Sequence, residues 1–377
     1  MSDTLIPSST GTMPALTLRG PGDAALTDKR IPSPGPGEVL LAVESTTICG
    51  TDLRIISGEK TSGVRPAVTL GHEVAGRIAA LGEGVGDGGD GEGVGGAASS
   101  AGGQGLAVGQ QATVSIVVSC GVCRSCLRGR EHLCASMELI GYGIDGGLAP
   151  YMLVPARAVA RGNVIPVAPR PEMPPARLAL AEPMSCVLNG HRRHSGVNPG
   201  ETVAILGGGP IGLLHAQLCL AAGAGRVIVS GRNEQRRKVA ESLGAQAVAP
   251  EDVEAAVSEA TGGWGADLVI VAIGAAELAD ASLSLAAPGG RVSWFAGFPK
   301  GSFAQIQPNT AHYQELTVSG GSNATRADVR DAVGLLAGGM IDEESIVTHT
   351  FGLSQWREAM EAARSHIGVK IALDPRR

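Results

Sequence analysis

Aromatic side chains are scarce in this sequence: four Phe, three Tyr and three Trp make up 3 % of 377 residues. Its cores must therefore be aliphatic, and a hydrophobic fraction of 44 % supplies enough Ala, Val, Leu and Ile for two domains. Long basic runs are absent too, and the formal net charge is −6 with pI about 5.8. That balance argues against nucleic acid or an anionic membrane as a partner. No apolar stretch reaches the ~18 residues needed to span a bilayer. The N-terminal stretch MSDTLIPSSTGTMPALTLRG lacks the basic-then-apolar order of a secretory leader. A soluble, cytoplasmic protein is the expectation.

Cysteine is the next scarcity, and its exception is informative. Of seven Cys, four fall in CGVCRSCLRGREHLC as Cys120, Cys123, Cys126 and Cys134, with the spacing C-x2-C-x2-C-x7-C. In a reducing compartment such a cluster reads as a metal site rather than as disulfides. Four thiolates satisfy tetrahedral zinc, and Gly121 and Gly129 free the backbone to turn them inward. An iron–sulfur cluster is the rival reading, although the ferredoxin spacing and its trailing Pro are absent. A closed four-thiolate zinc site has no open position for a substrate. It therefore stabilises a lobe over 120–134, and chemistry lies elsewhere.

A second set is dispersed. TTICGTDLRI and TLGHEVAG contribute Cys49, His72 and Glu73, and LALAEPMSCVLNGHRRH contributes Glu182. Thiolate, imidazole and carboxylate are all zinc ligands, and three of them with one exchangeable position make a catalytic site. Cys186 is read as a core residue rather than a competing ligand. His191 and His194 are read as structural or phosphate-proximal.

Glycine, by contrast, is abundant, at 56 residues. The pattern G-x-G-x-x-G occurs three times, at Gly91, Gly93, Gly96; at Gly141, Gly143, Gly146; and at Gly207, Gly209, Gly212. Only the third, in ETVAILGGGPIGLLHAQLCLAAG, has an apolar strand before it and a helical pattern after it. There Gly207 makes the tight turn, Gly209 admits a pyrophosphate and Gly212 lets helix pack on strand. Pro210 suits the first helical turn. Ile211, Leu214 and Leu218 fall on one face, and the helix N-terminal amides offer a phosphate site. The following strand, RVIVS, ends at Gly231 and Arg232, with Arg236 and Arg237 beyond. An acidic residue would be expected there for an NAD ribose. Its replacement by guanidinium favours NADP over NAD. The alternative leaves Arg232 in solvent and an NAD ribose on Ser230 or Asn233. Further strands at 267–274, 289–299 and 315–321 alternate with helical stretches, which predicts a doubly wound parallel sheet over 185–319.

CGTDLR, GHEVAG, the four-Cys lobe, GYGIDGGLAPY, AEPMSCVLNG and GGGPIG follow one another in an order that resembles the zinc-dependent medium-chain alcohol dehydrogenases, and the sorbitol (polyol) branch among them. The resemblance implies an α/β protein with a GroES-like β-rich catalytic domain at 1–184 and 320–377 and a Rossmann domain between. It implies two zinc ions per subunit, with Cys49, His72 and Glu182 on the catalytic one. Glu73 is a carboxylate that ligates in some members. By the same resemblance Thr51 takes the proton of a small polar alcohol, while the family's next relay position, often His, is Arg54 here. Arg cannot accept that proton near neutral pH, so Arg54 is open to binding an anionic substrate. The substrate expected is a polyol, sugar or cyclitol; the alternatives are a threonine- or aldonate-type dehydrogenase of the same family, or a non-catalytic binding protein on the same fold. A homodimer or homotetramer is implied as well. The tract GDGGDGEGVGGAASSAGGQG (86–105) stands where the family has a short turn, and reads as a flexible insert.

Overall fold

The computed structural model describes residues 11–86, 105–168, 172–193 and 196–377. Nearly all of the glycine-rich insert, with Gly91, Gly93 and Gly96, lies outside the described residues, as does His194. Two compact units emerge: Met1–Glu182 with Ala324–Ala337 and Val347–Arg377, and Pro183–Asn323 with Gly338–Ile346. The expected boundaries were 184/185 and 319/320, with an unbroken tail. The tail is instead interrupted, because Gln217 on the second unit holds Asp342 through its backbone. Asp342 N–H donates to Gln217 Oε1 at 2.6 Å, and Gln217 Nε2 donates back to Asp342 O at 3.3 Å.

The first unit is built on a sheet of seven strands. Val39–Thr47 is its spine, pairing antiparallel with Glu73–Leu81 on one side. On the other side Tyr151–Val154 takes the beginning of the spine and Lys370–Asp374 its end. Val39–Thr47 is buried almost throughout rather than alternately, as expected of a strand covered on both faces. Leu41, Ile78, Met152 and Leu373 lie in the aliphatic core around it.

The second unit carries six parallel strands. Their order is Gln246–Val248, Arg226–Ser230, Thr202–Leu206, Ala266–Val271, Ala286–Trp294, Thr317–Gly320. This is the 3-2-1-4-5-6 arrangement of a Rossmann sheet. Thr202–Leu206 is buried at every position. The helix Pro210–Ala221 departs from the one-sided pattern expected of it. Leu213, Leu214, His215, Ala216, Gln217 and Cys219 are all buried, while Ile211 and Leu218 are only half-buried. A helix enclosed on most sides carries no narrow apolar stripe. No described helix is long and apolar enough to cross a membrane.

Candidate metal centre and dinucleotide cradle

Antiparallel register gathers three strand ends of the first unit. Thr47 lies opposite both Glu73 and Ala372. The last residue of the spine and the first of Glu73–Leu81 therefore lie at one end of the sheet, with Lys370 two residues beyond the Thr47–Ala372 pair. Cys49 follows the spine and opens the helix Gly50–Ser57, its N–H donating to Asp52 Oδ2 at 2.9 Å. His72 sits in the turn before Glu73, behind Gly71, whose φ of +92° and near contact with Leu148 exclude a side chain. The glycines of GYGIDG close against that turn. A Cβ on Gly146 would lie 2.0 Å from Gly71 O, and one on Gly141 would lie 3.0 Å from His72 Cβ. This second glycine motif serves the His72 turn, a role sequence reading did not give it. One ligand atom each from Cys49, His72 and Glu73 thereby comes within 4.8 Å of the others.

Two of these side chains, His72 and Glu73, have a further partner. His72 Nδ1 faces Asp52 Oδ1 at 3.2 Å, with both residues buried. Burial opposes charge on the imidazole, but the nearby Tyr142 and Asp52 outweigh it and hold the His72 pKa well above its ordinary value. Such a pocket without metal prefers a cation, which a metal ion would replace on binding. Glu73 forms a buried ion pair with Lys370 Nζ at 2.7 Å and accepts a short hydrogen bond from Thr47 Oγ1. Lys370 also donates to Ile48 O at 3.1 Å. Glu182 is buried but stands outside the 4.8 Å set; its charge is felt at Lys370 and Tyr142 beside that set. Thr51 accepts a hydrogen bond from Arg54 Nη2 at 3.2 Å. The Tyr142 ring lies 5.2 Å from that of His72, and burial raises its phenol pKa.

Asp52, Lys370, Thr47 and Tyr142 were not singled out from sequence. Two carried a signal: Asp52 is three residues past Cys49, at capping distance, and Lys370 interrupts the apolar run VKIAL.

The four-Cys lobe hangs between the paired strands Val117–Val118 and Glu138–Leu139. Its sulfurs are 3.5 Å apart for Cys123 and Cys126, 3.5 Å for Cys134 and Cys120, and 4.0 Å for Cys120 and Cys126. A tetrahedron with Zn–S of ~2.3 Å has edges of roughly 3.8 Å, so the spacing fits a metal ion. All seven cysteines are free thiols, so no disulfide competes. N–H groups of Cys126 and Ala135 bring the Cys123 thiol down to about 6, and those of Val122 and Cys123 lower Cys120. Glu131 ties the lobe to the helix Arg326–Ala337, accepting the Arg326 N–H at 3.0 Å.

In the second unit, the loop after Thr202–Leu206 has the shape a dinucleotide requires. Gly207 has φ +123°, and a Cβ on Gly212 would lie 1.8 Å from Gly207 O. Gly209 has open space where its Cβ would be, immediately before Pro210 begins the helix. Gly231 approaches Gly208 so closely that a Cβ would meet its Cα at 3.2 Å. Arg232 is exposed beside it. Arg237 turns back to brace the loop, donating to Gly231 O at 2.8 Å and Arg232 O at 3.0 Å. His191 hydrogen-bonds His215 Nδ1 at 2.9 Å in the interior of this unit.

Comparison with known proteins agrees with this geometry. Residues 35–167 match the alcohol dehydrogenase GroES-like domain, and residues 210–338 match the zinc-binding dehydrogenase family. The chain is 33 % identical to L-threonine 3-dehydrogenase of Pyrococcus furiosus, over 91 % of this chain and 92 % of that one. It is also 33 % identical to sorbitol dehydrogenase of Halalkalibacterium halodurans, over 95 % and 98 %. A crystal structure of a zinc-binding dehydrogenase from Sinorhizobium meliloti 1021 bound to NADP superposes with a TM-score of 0.85, at 33 % identity, covering 97 % of this chain and 100 % of that one. These two family matches, a Rossmann sheet and relatives of this length make the chain a member of the zinc-dependent medium-chain alcohol dehydrogenase family.

Proposed function

We propose that this dehydrogenase oxidises a secondary alcohol flanked by polar groups, a polyol, sugar or cyclitol, with NADP as hydride acceptor and two zinc ions per subunit. The observation that carries the reading is the convergence of Cys49, His72 and Glu73 within 4.8 Å at one end of the sheet. Cys49 and His72 hold the catalytic ion. Glu73 and Glu182 are the carboxylates available to complete its shell, Glu73 being retained by Lys370 and Thr47 when it is not on the metal. Cys120, Cys123, Cys126 and Cys134 hold the structural ion. Bound zinc would supply Lewis-acid polarisation of a hydroxyl, and the nicotinamide would supply the hydride acceptor.

The remaining work falls to side chains. Asp52 orients His72, as a carboxylate behind a ligating imidazole does. Thr51 Oγ1 accepts the hydroxyl proton as it passes its own to solvent water, and the Arg54 guanidinium that donates to it disfavours a positive charge there and so favours that release. Gly207, Gly209 and Gly212, with Pro210 and Ile211 at the helix N-terminus, hold the pyrophosphate. Gly231 and Arg232 face the ribose 2′-position, where Arg232 pairs with a phosphate, and Arg237 keeps that loop in shape.

A second reading, oxidation of a hydroxy acid, is favoured by Arg54. Its guanidinium is exposed and has no acidic partner among the described residues, so it is available to a substrate carboxylate such as that of L-threonine. One experiment addresses both readings. Zinc-loaded protein is assayed against polyols, cyclitols, sugar alcohols, aldonates and L-threonine with NADP and with NAD, by nicotinamide absorbance. Turnover of a polyol that ceases on chelation supports the first reading, and preference for the acids supports the second. A preference for NAD of about tenfold or more would overturn the NADP assignment.

A further inference from the structure

GYGIDG has one charged residue, Asp145, and its carboxylate reaches away from the glycines to the stretch before His72. Asp145 Oδ1 accepts the Thr69 N–H at 2.8 Å. Lys29 Nζ donates to both Asp145 oxygens at 3.1 Å, to Thr69 Oγ1 at 2.9 Å and to Ala67 O at 3.0 Å. An ammonium has three protons, so these three partners use them all. Lys29 lies on Asp23–Arg30, a strand already paired with Thr12–Gly20 by its backbone. The hairpin does not need the ammonium, which is turned onto residues 67–69 and 145. Those residues are constrained in turn. Ala67 has φ +60°, which a Cβ disfavours and which persists only where the surroundings hold it. Leu70 N–H donates to Leu16 O at 3.0 Å, and Gly71 O accepts the Gly147 N–H at 2.9 Å. Little slack is left between Thr69 and His72.

We infer that Lys29 and Asp145 are positioning residues for the metal centre: their pair fixes Thr69 and so sets where His72 is presented to the ion. This rests on the dehydrogenase reading above and adds two residues outside the ligand set. Overall stability is a poor account of the pair. Its side chains are 24 % and 44 % exposed, and ion pairs so open to water stabilise a fold little. A metal site is more demanding, because its ligand atoms must stay within about 0.2 Å of their required distances. The clamp acts through one ligand of one centre. Cys49 and the four cysteines of the lobe are held by other segments.

The test reads the metal rather than turnover. Zinc-loaded wild type, Asp145→Asn and Lys29→Met are each titrated with a chromophoric chelator. Asparagine keeps an oxygen for the Thr69 N–H and removes the charge facing Lys29, so it isolates the pair. In both variants the more readily released zinc should bind about five- to tenfold more weakly, and the lobe zinc should be released as in wild type. The double variant should be no weaker than the weaker single one, because both changes open the same clamp. Each Tm should stay within about 3 °C of wild type. Asp23→Asn is the control: it breaks the Arg19–Asp23 pair of the same hairpin and should leave both zinc ions bound as before. Unchanged zinc affinity in Asp145→Asn, equal weakening of both ions, additive losses in the double variant, or the same loss in Asp23→Asn would each overturn the inference. A wild type that holds only the lobe's zinc would instead refute the dehydrogenase reading, and the inference with it.

Discussion

The lobe at 120–134 gathers four thiols from one short segment, whereas Cys49 and His72 are brought together by strand register across the sheet. The lobe sulfurs are supported by backbone N–H groups, as at Cys134 Sγ, which accepts from Cys120 and Ser136 at 3.3 and 3.4 Å. The other centre is supported by side chains: Asp52 behind His72, Lys370 and Thr47 behind Glu73. Backbone donors cannot leave without unfolding the segment. Side-chain partners can exchange, which is what the catalytic role proposed for the second centre requires. On the proposed roles, a site for stability and a site for chemistry differ in what stands behind the ligands, more than in the ligands themselves.

Separating the two functions by mutation tests this contrast most severely. Cys49→Ser should lower kcat/KM on the order of 10³-fold, about 4 kcal/mol of transition-state stabilisation. Its melting temperature should stay within a few degrees of wild type. Retained turnover within about tenfold would mean that chemistry does not occur at this centre. The converse change is Cys134→Ser, at the buried cysteine of the lobe. Breaking a structural zinc site should lower Tm by about 10 °C or more, because metal binding there is folding free energy. The surviving folded fraction should keep its kcat. A variant with normal Tm and depressed kcat would reverse the roles assigned to the two sites.

A smaller effect probes the buried ion pair. Lys370→Met leaves the Glu73 carboxylate without its counter-charge and should cost about 3 kcal/mol. Adding Glu73→Gln should recover a good part of this, as measured by urea denaturation. Burial opposes the Lys370 charge, but Glu73, then Cys49, prevail and raise its pKa above 10.5. A raised lysine pKa contributes stability that is complete below the unfolded value and is lost as pH climbs through the folded one. The penalty should therefore be the same across neutral pH and vanish only in strong alkali. A penalty that changed between about pH 6 and 9 would show that another group carries the effect.

Legibility in the sequence follows the same division. The lobe was readable because its ligands are close in sequence and few alternatives exist for such spacing. The Rossmann cradle was readable because strand, glycines and helix are consecutive, and Gly207 and Gly212 meet steric limits no side chain passes. Cys49, His72 and Glu182 needed resemblance, since strand register over long separations is not written in any one stretch. Lys370 was missed for that reason: it reaches Glu73 only because both begin strands flanking Val39–Thr47. GYGIDG was set aside as a failed phosphate motif, when its glycines fit the backbone beside His72. The interrupted tail was invisible because one side chain, Gln217, holds Gly338–Ile346 to the second unit.

The finest discrimination comes from Asp52→Asn. Asparagine keeps the size and an oxygen for the Cys49 N–H, which Asp52 Oδ2 now accepts at 2.9 Å. It removes the charge from behind His72 Nδ1. Losing the carboxylate behind a ligating imidazole typically weakens metal binding ~10–100-fold. Competition with a chromophoric chelator should therefore show one zinc per subunit released more readily than in wild type, and the other released as before. Side-chain support predicts this asymmetry, because Asp52 touches only one of the two centres. If both ions were lost at the same altered rate, the centres would be coupled through the fold, and the distinction between exchangeable and fixed support would fail.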